Sequence, residues 1–340
     1  MLYPKSKEKE LDAVLFADPT AEYRGKPLWG WNTRVEKGEL LRQIGELKEM
    51  GMGGFHIHPR TGLDIEYLGN EFFDCVKACS QKAKEEGMYL WLYDEDRWPS
   101  GYGGGKVTKN KKYRARHLVF TPFRQEDIKR KSFIADAKLV AHENGNGTLI
   151  AAYSIELEKG YLKSYRRIDN PEEADGDVWY AYVEIAEDTP WFNNEAYVNT
   201  LDKEAIVRFL EVTYEKYYEE TGEEFGRSIP AIFTDEPQFE PKTCFPFAQT
   251  DKEAIFPYTD DLEKTFQETY KTSLLEHLPE LFWELPEGKI SKIRYWYHAH
   301  ISTRFTEAFS ETVGEWCRKH NIVLTGHVMM EPTLGTRRQP

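Results

Sequence analysis

The sequence has few cysteines, no long apolar run and no excess of basic residues, and each absence excludes a class of protein. Four cysteines in 340 residues are too few for a disulfide framework. No stretch approaches the roughly 18 apolar residues of a membrane span, and the N-terminus has no signal-peptide run. The 45 Lys and Arg are outnumbered by 58 Asp and Glu, and a net charge of −13 opposes binding to phosphate backbones and anionic membranes. We therefore expect a cytoplasmic protein that binds neither nucleic acid nor a membrane.

A glycine-rich phosphate loop is also lacking at the start of the first predicted helix, which argues against a nucleotide-binding sheet. Aromatic residues, in contrast, are abundant, with nine Trp and twenty Tyr in the chain. Flat amphipathic rings at the mouth of a cleft commonly hold sugars. We therefore count Trp29 and Trp31, in the first predicted strand, among the candidate substrate-binding residues.

Short apolar runs alternate with long amphipathic segments, which is typical of β-α units around a parallel sheet. Five such strands are predicted, at Pro27–Asn32, Gly54–His58, Met88–Asp94, Ile229–Thr234 and Ile322–His327. Helices are predicted at about Glu36–Met50, Glu71–Glu86, Asp202–Glu220, Thr259–His277 and Lys292–His320. The fold class we expect is an α/β, (β/α)8-type TIM barrel that is incomplete in this chain.

The pattern changes between residues 114 and 199, where short runs alternate with turn signals such as Asn144-Gly145-Asn146-Gly147. The segments HLVFTPF, KLVAHE, TLIAAYSIEL, YRRI and VWYAYVEI predict a small antiparallel β subdomain inserted after the third barrel strand. Residues 1–113 would then form the first three β-α units, and residues 200–340 would continue the barrel to its fifth strand. A loop rich in Phe and Pro is expected at Phe239–Pro257.

Polar side chains gather where the predicted strands end, which is where parallel barrels place catalytic residues. Carboxylates and histidines in one cleft could flank a glycosidic bond, hold sugar hydroxyls or bind calcium. The strand-end candidates are His56, His58, Arg60, Asp94, Glu95, Asp96, Asp235, Glu236, His327 and Glu331. Alternation along a strand pairs Glu236 with Thr234 on one face, and Pro237 would restrict the backbone of Glu236.

These blocks carry a family resemblance. FADPTAEYRGKPLWGWN, GGFHIHPRTGL, LWLYDEDRWPSGYGGG, IPAIFTDEPQF and LTGHVMME, in this order, resemble the catalytic barrel of the family 106, α-L-rhamnosidase-like glycoside hydrolases. The resemblance implies a (β/α)8 barrel, carboxylate acid/base catalysis with inversion, a carbohydrate substrate and no required cofactor, with calcium in some members. It implies that Glu236 is an acid, and that Glu331 or a residue beyond Pro340 is its partner.

The chain departs from the family pattern after its fifth predicted strand, because closing a barrel takes three further β-α units of about 40 residues each. We therefore expect an open sheet edge and self-association through it. Two alternatives stay open. One is a metal-dependent hydrolase barrel in which His56 and His58 bind zinc. The other is a carbohydrate-binding fragment without catalysis.

Overall fold

The structure is a computed structural model that describes residues 9–125, 147–239 and 242–329. Its strands are β1 Leu28–Trp31, β2 Gly54–Pro59, β3 Tyr89–Tyr93, β4 Arg116–Thr121, β5 Thr148–Glu158, β6 Tyr161–Ile168, β7 Asp177–Ile185, β8 Ala231–Asp235, β9 Ala254–Tyr258 and β10 Val323–His327. Its α-helices are α1 Ala13–Ala17, α2 Lys37–Glu49, α3 Asn70–Glu85, α4 Lys203–Phe209, α5 Glu215–Thr221, α6 Leu262–Tyr270, α7 Lys292–Phe305 and α8 Thr312–Lys319. The chain divides into two compact units.

The first unit comprises residues 1–107, 206–238 and 310–340 and is built on a parallel sheet. Its strand order is β1-β2-β3-β8-β10. The five predicted parallel strands therefore lie side by side in the order in which they occur along the chain. This confirms the predicted parallel strands. Within the described residues the sheet stays open, with β1 and β10 at its edges, and no closed barrel is present.

The two faces of this sheet differ in chemistry because alternate side chains point in opposite directions. Phe55 and Ile57 of β2 are buried on the helix side, where α2 contributes Leu40 and Ile44 at helical spacing. The other face, which we call the inner face, carries His56, His58, Tyr93, Phe233, Asp235 and His327. The register of the parallel ladder thus brings polar side chains of four strands to one side of the sheet.

The second unit comprises residues 108–205 and 239–309 and contains an antiparallel sheet of order β6-β5-β7-β4-β9. Phe120 of β4 lies in its core, stacked on Phe282 at 4.2 Å and on Trp179 at 5.2 Å between ring centroids. The sheet confirms the strands predicted between residues 114 and 199, except KLVAHE, which lies outside the described residues. The predicted limits need correction, because residues 239–309 belong to this unit and do not continue the parallel sheet.

Two further differences concern element boundaries. The segment predicted as a Phe- and Pro-rich loop contains β9, which pairs with β4 from Arg116↔Tyr258 to Phe120↔Ala254. The helices predicted over residues 202–220 and 292–320 are each interrupted by a π-helical segment, at Leu210–Tyr214 and at Thr306–Glu311. None of the helices in the described ranges has the length and apolarity needed to cross a bilayer.

Candidate active site at the carboxyl end of the parallel sheet

Aromatic contacts organise the inner face. The His58 ring stacks on Tyr93 at 3.8 Å between centroids, and Tyr93 in turn stacks on Phe233 at 5.9 Å. Phe233 also meets His327 edge-on at 5.0 Å. These contacts join β2, β3, β8 and β10 at the end of the sheet where parallel α/β proteins place their catalytic residues.

Asp235 ends β8 among these rings and is 7% exposed. Its Oδ2 accepts a hydrogen bond of 2.9 Å from the Tyr93 hydroxyl, and its Oδ1 lies 3.4 Å from Nδ1 of His327. Burial and the Asp235 carboxylate both raise the pKa of Tyr93, so its hydroxyl stays protonated and donates. Asp235 is therefore held between a hydroxyl and an imidazole.

Glu236 follows at a backbone φ of +46°, which is unusual for a residue other than glycine. Its backbone N–H donates to the carbonyl of His327 at 3.2 Å, and the indole N–H of Trp98 donates to its Oε2 at 2.6 Å. Within the described part of the chain, no hydrogen bond reaches its other oxygen, Oε1. Because Glu236 has a left-handed backbone, side chains no longer alternate between the two faces at this residue, and the predicted common face with Thr234 does not determine where the Glu236 side chain points. Its direction is set by the hydrogen bond from Trp98.

Asp94 is completely buried at the end of β3. Its Oδ1 accepts a 2.5 Å hydrogen bond from Ser100, and its Oδ2 accepts one of 2.7 Å from Tyr214. Burial raises the pKa of Asp94 to about 7, although these hydroxyl donors favour its ionised form. Because the Ser100 oxygen also accepts the backbone N–H of Asp235 at 2.7 Å, Asp94 supports Asp235 through one intervening side chain.

Glu95 is also completely buried, and its carboxylate faces the glycine-rich segment that follows. Both oxygens accept backbone N–H groups, from Asp96, Gly101, Tyr102, Gly103 and Gly104. Burial raises the pKa of Glu95, and the N–H groups oppose that rise because they stabilise the charged form. The predicted substrate contact needs correction here, because a carboxylate enclosed by backbone donors has no surface left for a sugar.

The third acidic residue, Asp96, is 8% exposed and forms a 2.6 Å ion pair with Arg97. Each carboxylate of the 94–96 segment therefore has at least one oxygen that accepts a hydrogen bond from a donor of the chain. A calcium site needs six to eight oxygen ligands around the ion, and this donor set does not fit that requirement. No cluster of three or more His, Cys, Asp or Glu suited to a metal occurs among the described residues.

His56 and His58 lie on the inner face as alternation predicts, but in aromatic surroundings. The His56 ring packs edge-on against Trp91 at 4.5 Å, and Nε2 of His58 lies 3.4 Å from the guanidinium of Arg60. Burial lowers the pKa of both rings, to about 3 for His58, where Arg60 adds to the effect. Both histidines are therefore neutral near pH 7, and Arg60 lies exposed beside His58.

Trp29 and Trp31 lie on the helix side of the parallel sheet, so the structure does not bring them together with the candidate residues of the inner face. The Trp29 indole donates a 2.8 Å hydrogen bond to Gln43 of α2, and Trp31 packs against Phe72 of α3 at 5.7 Å. Trp29 pairs in register with Ile57, a residue of the helix side. These rings therefore belong to the packing between sheet and helices.

The site also contains three residues that the sequence interpretation missed: Tyr93, Trp98 and Ser100. Tyr93 could have been found from the run LWLYD, because alternate side chains of a strand point to opposite faces. If Asp94 points to one face, its neighbour Tyr93 points to the other, which is the inner face. Trp98 and Ser100 lie in a loop, where periodicity gives no direction. Glu331, the predicted partner of Glu236, lies outside the described residues.

Comparisons with known proteins bear on the fold. No family model and no curated protein matches this chain. Among solved structures, the chain is similar to a rhamnosidase from Novosphingobium sp. PP1Y, with a TM-score of 0.55 and 12% sequence identity. The match covers 93% of this chain and 47% of the rhamnosidase, so this chain spans about half the length of that protein. The fold is thus similar to that of a glycoside hydrolase.

Proposed function

We propose that this protein is a glycoside hydrolase of the family 106, α-L-rhamnosidase-like group, with Glu236 as its general acid. The observation that carries the proposal is the Glu236 carboxyl group itself. It is half-buried at the carboxyl end of β8, and the Trp98 indole fixes one of its oxygens. A carboxyl group that is held in direction and still reachable can give a proton to the oxygen of a departing sugar.

The surroundings of Glu236 suit a sugar ring. The His327 side chain, which is 46% exposed, and the exposed Arg60 beside His58 offer polar atoms for hydroxyl groups. The ring nitrogens of an imidazole form hydrogen bonds with hydroxyl groups. The fold similarity to a rhamnosidase supports an α-L-rhamnoside as the first substrate to assay.

In this proposal the bond is broken with inversion, and the base that activates water is Glu331 or a residue beyond Pro340. An inverting pair of carboxyl groups stands about 6.5–9.5 Å apart so that a water molecule fits between base and sugar. The zinc-hydrolase alternative receives no support from the site, since the two histidine rings pack against aromatic side chains and Arg60.

The test is an assay of the purified protein on a panel of 4-nitrophenyl glycosides that includes the α-L-rhamnoside. Turnover of the α-L-rhamnoside well above the uncatalysed rate, with the opposite anomer as first product by NMR, is the expected result. Retention of configuration would overturn the inverting mechanism. Sugar binding without turnover would identify a binding protein instead, and neither binding nor turnover on any glycoside would remove the proposed function.

A further inference from the structure

The loop from Glu95 to Gly104 folds back, so that the backbone of its last four residues binds the side chain of its first residue, Glu95. The Glu95 carboxylate accepts the backbone N–H of Gly103 at 2.7 Å, of Gly101 and Tyr102 at 3.0 Å, and of Gly104 at 2.5 Å. Gly103 and Gly104 adopt φ values of +60° and +57°, which let successive N–H groups turn towards one point. The loop is thus folded around the buried side-chain carboxyl group of Glu95.

The same loop carries the two side chains that reach the end of β8. Trp98 donates to Glu236, and Ser100 bridges Asp94 and the backbone N–H of Asp235. Both lie between the two ends of the segment that Glu95 gathers. Ser100 directly precedes the Gly101–Gly104 stretch in the chain, and Trp98 lies two residues before Ser100, so loosening of that stretch would disturb both side chains.

We propose that Glu95 is a positioning residue for the carboxyl group of Glu236, and that it acts by holding the loop that presents Trp98. The expected effect on kcat rests on the proposed function. The effect of Glu95 on the order of the loop can be measured without any substrate. Glu95 itself meets no sugar, because it is completely buried beneath the loop.

The central variant is Glu95→Gln, which keeps the size of the side chain and replaces one acceptor oxygen with an NH2 group that repels backbone N–H donors. Amide hydrogen exchange of the peptide covering residues 100–105 reports on the loop directly. We expect exchange there to accelerate by about tenfold or more, since at least two buried hydrogen bonds are lost. Glu95→Asp, which keeps the charge on a shorter arm, should give a smaller acceleration and remains available if the Gln variant does not fold.

Thr221→Val is the matched control. Thr221 is buried in α5 and its hydroxyl donates to the carbonyl of Tyr217 at 2.7 Å, so the variant also loses a buried hydrogen bond of the first unit. Its loop exchange and its kcat should stay at the wild-type value. This separates loosening of the loop from a general loss of stability.

A double-mutant cycle with Trp98→Phe then tests how Glu95 acts. If Glu95 works through Trp98, each single variant lowers kcat and the double variant is no slower than the slower single one. Unchanged exchange in both Glu95 variants, or effects on kcat that multiply, would overturn the proposal. A wild-type protein with no glycosidase activity would remove the proposed function and the kinetic role, and the exchange result would still decide whether Glu95 holds the loop.

Discussion

The hydroxyl of Tyr93 on β3 donates a 2.9 Å hydrogen bond to Oδ2 of Asp235 on the neighbouring strand β8. This contact joins an aromatic ring of the inner face to the carboxylate that precedes Glu236. Replacing Tyr93 with Phe keeps the stacks on His58 and Phe233 and leaves a buried carboxylate oxygen without its donor. We expect a loss of roughly 1–3 kcal/mol in the free energy of unfolding, measured by urea denaturation. Tyr218→Phe, at a 43% exposed ring, should cost far less, and equal losses in the two variants would contradict this role for Tyr93.

Burial of neutral His58 predicts a specific loss of stability in acid. Its pKa is lowered from 6.5 to about 3 in the folded protein, so below pH 6.5 the unfolded chain takes up a proton that the native state does not. The contribution of this residue to the free energy of unfolding therefore falls as the pH drops from about 6.5 towards 3. Compared with His58→Phe, the wild-type protein should lose stability over this range. A difference between the two proteins that does not change with pH would show that His58 titrates normally.

We expect that any side chain larger than that of glycine at position 326, in β10, destabilises the protein. The φ of Gly326 is +153°, and an added Cβ would lie 1.8 Å from the carbonyl oxygen of Thr234 on β8. Gly326→Ala should therefore destabilise the protein by more than about 1 kcal/mol, because the strands must separate or the ladder must shift. Gly314→Ala is the matched control, since a Cβ there meets nothing within 4 Å in helix α8 and should stabilise by about 0.5–1 kcal/mol. Thermal unfolding of both variants decides, and an equal Tm change in the two would contradict the close approach.

The sequence predicted the parallel strands well because each is a short apolar run between clear helical patterns. It missed β9 because Pro257 lies within the strand and a run of Phe and Pro, at residues 245–247, precedes it. The strand β9 is recognised from its pairing with β4, and a local stretch of sequence does not show which distant segment will pair with it. The second unit therefore extends further along the chain than its turn signals indicate.

Within the site, alternation placed His56 and His58 correctly and failed at Glu236. The rule holds only while the backbone stays extended, and the left-handed φ of Glu236 ends that condition one residue after β8. The role of Glu95 was out of reach for a similar reason. A carboxylate that organises backbone N–H groups leaves no pattern in the spacing of side chains.

The most direct test of Glu236 as the general acid is the dependence of Glu236→Gln on the leaving group. The rate on a glycoside with a poor, alkyl-type leaving group should fall by a factor of order 10² or more, because that oxygen needs a proton as the bond breaks. The rate on an aryl glycoside with an acidic phenol should fall much less, and Glu268→Gln, at an exposed position of α6, should change neither. Equal losses on both substrates, or no loss on either, would contradict the assignment of Glu236 as the acid.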